Sequence, residues 1–187
     1  MPNPHALIQD FFSALSLPRY RKYIFSTLKA AGSAHYWKKE DPASLLYFQK
    51  KMEDLLDAAH LLLKKPLGKK TERKKSVLRP ESLAAAEIDQ ALYLDKSSGL
   101  SQWEAFPRSL SEKEFLNPRI AFEAFFRHRS LKEWKADFGE IIFYALTPHS
   151  CSEDLVDLDL LKTNRLLQKL IEAAHLIWVR EGGSFRD

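Results

Sequence analysis

The sequence predicts an all-α, single-domain helical bundle of about six to seven helices over residues 1–187, with the long third and last helices packed together. Three observations predict it. Prolines fall where helices begin or end, apolar residues recur at the three-four spacing of one buried helical face, and no run alternates apolar with β-branched residues for long enough to make a strand. Six glycines among 187 residues are also few for a protein of strands and tight turns.

The elements follow in order from their punctuation. Asn3-Pro4 is a cap followed by proline at the first helical position, where a missing N–H does no harm, and it starts a helix to about Leu15. Ser16-Leu17-Pro18 starts a second helix, which Gly32 stops. Asp41-Pro42 opens the third, running to Lys65 and closed by Pro66; Leu45, Phe48, Met52, Leu55, Leu56, Ala59, Leu62 and Leu63 form its buried stripe. Residues 66–79 read as a basic, flexible loop, and Pro80 opens a helix through Leu92. The chain is then irregular from Asp95 to Pro107. Ser111 with Glu114 and Ser130 with Glu133 each fit a capping box, in which a hydroxyl and a carboxylate satisfy each other's free backbone N–H groups. Between them Asn117-Pro118 opens a helix to His128, apolar on nearly every side and therefore expected to be central. The helix from Ser130 runs through Leu146, and the last spans roughly Leu158 to Arg180, ended by Gly182-Gly183.

Composition bounds the class. Forty-five per cent hydrophobic and 12% aromatic residues suffice for a core without staples, and Cys151, the lone cysteine, rules out an internal disulfide. The first residues show neither a charged n-region nor an apolar h-region, and no stretch approaches a membrane span, so a soluble cytoplasmic protein is expected. Residues 1–80 hold 16 Lys/Arg against 7 Asp/Glu, and the remainder 13 against 18. Within the basic half, residues 64–79 carry eight Lys/Arg, with Lys69, Lys70, Arg73, Lys74 and Lys75 as candidate phosphate contacts, and Arg19, Arg21, Lys22, Lys38 and Lys39 could extend the patch. No aromatic residue interleaves the run to stack on bases, so a solvated loop is the simpler reading.

One internal echo stands out. Leu55-Leu56-Asp57-Ala58-Ala59-His60-Leu61-Leu62 matches Leu170-Ile171-Glu172-Ala173-Ala174-His175-Leu176-Ile177, five of eight positions being identical. Acid-x-x-His on two helices is the ligand pattern of carboxylate-bridged dimetal bundles, and Glu87 and Glu140 could supply the two further carboxylates. A helical wheel argues against it: His60 and His175 lie at the edge of their apolar faces, and Asp57 and Glu172 about 150° from the face centre, towards solvent. Asp57, His60, Glu172 and His175 are therefore set aside as metal ligands, no cofactor is expected, and Ala59 and Ala174 are read instead as the close approach of two antiparallel helices.

The sequence carries no familiar catalytic motif. The chain has no glycine-rich phosphate loop, no G-x-S-x-G, no H-E-x-x-H and no C-x-x-C, and His149 and Cys151 lack an orienting third group. Phe143 lies opposite the Trp134-Phe138-Ile141-Ile142-Ala145 face of its helix and needs cover from another helix or a second subunit. The expectation is a non-catalytic interaction or adaptor protein with protein partners, possible self-association around Phe143, and no membrane. Nucleic-acid binding through the basic loop is the alternative, and a metal-binding bundle ranks third.

Overall fold

A computed structural model describes residues 3–33, 37–38, 41–64, 103–148 and 159–180. Among these the fold is all-α, with seven α-helices and no strand. They are α1 (Pro4–Ala14), α2 (Leu17–Ala31), α3 (Pro42–Lys64), α4 (Glu112–Leu116), α5 (Arg119–His128), α6 (Leu131–Leu146) and α7 (Leu160–Arg180); a 3-10 turn, Trp103–Ala105, precedes α4. The expected helix at 81–92, the basic loop and the His149–Cys151 pair lie outside the described residues.

Local chemistry sets the boundaries. The Asn3 side chain accepts the His5 N–H at 3.1 Å, and the Gly32 N–H closes α2 on the Leu28 carbonyl at 2.9 Å. Both capping boxes form: Ser111 Oγ accepts from the Glu114 N–H, Ser130 Oγ from the Glu133 N–H, and each glutamate accepts the N–H of its serine.

The core runs through α1, α2, α3, α5, α6 and α7 as one cluster, from Ile8 and Phe11 through Tyr20, Phe48 and Leu55 to Phe122, Trp134 and Ile171. Phe11 stacks on Tyr20 at 3.8 Å between centroids, and Phe125 on Trp134 at 4.2 Å. The buried polar tips of both pairs are used, Tyr20 Oη donating to the Phe11 carbonyl and Trp134 Nε1 to that of Phe125.

The two long helices share this core, but mainly through common neighbours. α3 packs principally against α1, α6 and α5, and α7 principally against α2, α5 and α1. Ala59 and Ala174 are both fully buried, yet the direct antiparallel seam expected there is not one of the main helix contacts. The bridging helix α5 is also less central than its composition suggests. It buries Ala121, Phe122 and Phe125 on one side, while Ile120 and Arg127 are exposed. No described helix is long and apolar enough to cross a membrane.

Candidate functional site

The one densely charged centre inside the described structure gathers around Glu172, and it revises the wheel. Glu172 has no exposed surface and His175 is buried, because every residue from Leu170 to Leu176 is buried. A wheel assumes one solvent-facing side. Here α2 and the segment leading into α4 close over the side of α7 that the wheel assigns to water.

The segment owes its position to Glu172 and Arg21. Arg21, on α2, gives Nε and a terminal nitrogen to Glu172 Oε1, at 3.1 and 2.6 Å. The Ser109 hydroxyl donates to the same oxygen at 3.2 Å. Oε2 accepts the backbone N–H groups of Arg108 and Ser109 at 3.0 and 2.7 Å. The remaining donors of Arg21 reach the carbonyls of Glu104 and Phe106. Arg21 is thus no part of a phosphate-binding patch; its charge is spent on a buried carboxylate. A buried ion that is paired and fully hydrogen-bonded is tolerable, whereas a bare one is not.

One turn further along α7, His175 lies edge-on to Phe12, with ring centroids 4.9 Å apart, and near Trp178. Burial, reinforced by the Arg21 charge, pushes its pKa down to about 3, so the imidazole is neutral at ordinary pH. Glu172 and His175 therefore face different surroundings, one a set of donors and the other an aromatic wall.

The matching pair on α3 does something else. Asp57 is partly exposed and pairs with Lys135 of α6 at 2.7 Å. His60 lies edge-on to Phe126 of α5 at 5.1 Å, its pKa lowered by burial and then by Lys64. Glu140, nominated as a further ligand, is exposed on α6, and Glu87 lies outside the described residues. Among the described residues no three His, Cys, Asp or Glu side chains gather as a metal site requires. The wheel's reason for setting Glu172 and His175 aside is thus corrected: they are interior, and the carboxylate oxygens are already occupied.

Two further polar anchors escaped the sequence reading. Glu114 is buried, and Lys169 of α7 bonds both its oxygens at 2.7 Å. Burial pushes this carboxyl up, but the bonds from Lys169 and Ser111 outweigh it and hold it below the usual carboxylate range. Arg119 donates to the Leu62 and Leu63 carbonyls, at the last turn of α3 where backbone acceptors have no helical partner. Arg119 also pairs with Glu123 one turn on along α5, at 3.5 Å.

On the surface, Phe143 is 62% exposed, on the side of α6 away from Trp134, Phe138, Ile141 and Ile142. Phe25 on α2, and Leu46 and Tyr47 on α3, are exposed as well, on the two helices that pack against α6. Lys69, Lys70, Arg73, Lys74 and Lys75 lie outside the described residues. No family model, curated protein or solved structure matches this chain.

Proposed function

We propose that this chain is a non-catalytic interaction protein of the cytoplasm, and that it self-associates through the outer face of α6, centred on Phe143. The observation that carries the reading is the exposure of Phe143, 62%, on a helix whose opposite face is already satisfied by the core. A large aromatic left in water gains free energy when a partner covers it, and aromatic residues are enriched at the centres of such contacts. Ala136, Glu140 and Phe143 form one exposed row at helical spacing, with small Ala136 leaving room for an approaching side chain. Two further facts support a role without catalysis. Glu172, Glu114 and Arg21 are engaged in holding elements together, and neutral His175 is packed among aromatic rings. A single cysteine suits a reducing compartment.

Sedimentation velocity over a wide concentration range tests this. The wild-type chain is expected to show a reversible dimer, and Phe143→Ser to sediment as a monomer with an unchanged helical spectrum. A wild-type chain that stays monomeric at every concentration, with Phe143→Ser indistinguishable from it, overturns the proposal.

The basic run favours a second reading, phosphate binding through Lys69, Lys70, Arg73, Lys74 and Lys75. It requires a gel shift with a duplex oligonucleotide at low salt that weakens steeply as salt rises. Absence of a shift at low salt removes it.

A further inference from the structure

Residues 103–111 contain only one 3-10 turn, Trp103–Ala105, before α4 begins. Four of their backbone groups are nonetheless satisfied by two side chains from other helices. The Arg21 guanidinium donates to the carbonyls of Glu104 and Phe106, two residues apart, while the Glu172 carboxylate accepts the successive N–H groups of Arg108 and Ser109. Apolar contacts accompany this polar reading. Ala105 is buried with Leu176 and Val179, and Phe106 and Leu110 pack beside them, in a cluster separate from the main core. Backbone groups read by fixed donors and acceptors, with side chains seated in apolar recesses, are the chemistry of peptide recognition.

The receptor half of this contact keeps its own ion pair, and Glu172 Oε2, whose two donors lie on the segment, would turn to water. Arg21 and Glu172 lie on α2 and α7, are joined at 2.6 Å, and would remain joined if the segment left. Departure would therefore not strand a bare carboxylate in the interior, which is what normally makes opening next to a buried charge prohibitive. The freed N–H and C=O groups would go to water, and the main cluster through α1, α2, α3, α5, α6 and α7 would stay packed.

We propose that residues 103–111 are an internal ligand, seated in a peptide-binding groove between α2 and α7, which detaches while the helices stay folded and yields the groove to a partner's extended segment with the same spacing of carbonyls and amides. Arg21 and Glu172 read the backbone, and Leu176 and Val179 receive small or aromatic side chains. This site is independent of the Phe143 surface.

Two measurements on the full chain decide it. In hydrogen exchange at increasing urea, the Arg108 and Ser109 amides of the wild type are expected to exchange at least about tenfold faster than the slowest α2 and α7 amides, with little dependence on denaturant. Exchange that occurs only with global unfolding overturns the proposal. In the second measurement a fluorescent peptide with the sequence of residues 103–111 is titrated into Ser109→Pro, which removes the two donors of residue 109 to Glu172, its amide and its hydroxyl, and keeps Arg21, Glu172, Leu176 and Val179 in place. Saturable binding is expected there, about tenfold weaker in the Ser109→Pro, Arg21→Met double variant. A Ser109→Pro chain that keeps its helical spectrum yet binds no peptide overturns the proposal, and if it does not fold, the exchange experiment decides alone.

Discussion

A carboxylate with no exposed surface must be neutralised where it lies, and around Glu172 five hydrogen bonds do so. His175 meets its own burial in the opposite way, by giving up its charge. That choice makes stability depend on pH. The unfolded chain takes up a proton at this histidine near its ordinary value of 6.5, whereas the folded chain resists protonation down to about 3. Between those values the unfolded state binds more protons, so stability falls as pH falls, with a slope approaching ~1.4 kcal/mol per pH unit. Above pH 6.5 this residue contributes no slope. His175→Leu is expected to flatten the acid limb between about pH 6 and 4 in urea titrations; an unchanged limb would show that His175 is protonated in the native state. Neither side chain was placed correctly by sequence. Periodicity records which face of a helix is apolar, and it has no knowledge of a non-helical segment that brings N–H donors to the other face.

Helix boundaries were the most legible part, because they depend on chemistry within a few residues. Asn3-Pro4, Asp41-Pro42, Ser111 with Glu114 and Ser130 with Glu133 all stand where the sequence puts them, and the α7 start moved only from Leu158 to Leu160. Replacing Ser111 by alanine should lower stability by about 1 kcal/mol, since it removes the α4 cap and a bond that orients Glu114 toward Lys169. Thermal unfolding followed by circular dichroism checks it, and no shift in Tm would mean that Lys169 and the backbone N–H of residue 111 suffice to position Glu114. At the far end of α3, Arg119→Met should leave the Leu62 and Leu63 carbonyls to water and fray the last turn. Faster hydrogen exchange confined to residues near Leu63 would register it, while unchanged exchange would show that water already serves those acceptors. This contact was illegible because its partners lie 57 and 56 positions apart in the chain.

At the scale of the whole molecule, the repeated octapeptide serves two different neighbourhoods. On α3 the motif edges a surface, with Asp57 reaching Lys135 and His60 lying against Phe126. On α7 it is interior, and its glutamate fastens α2 and the segment before α4 to one helix. Closely similar local sequence yields unequal roles because neighbours, not the motif, decide what is solvated. The bridged arrangement of α3 and α7 follows from the same fact: α1 and α5 pack against both helices, so no direct seam is needed for both to share the core. That inequality is the centre of this account. Its most direct test is a pair of isosteric substitutions, Glu172→Gln and Asp57→Asn, compared by equilibrium urea unfolding. Breaking a buried, fully bonded ion pair should destabilise the chain by about 3–5 kcal/mol, while Asp57→Asn, at a partly exposed pair, should change it by less than ~1 kcal/mol. Equal and small losses at both positions would contradict the account.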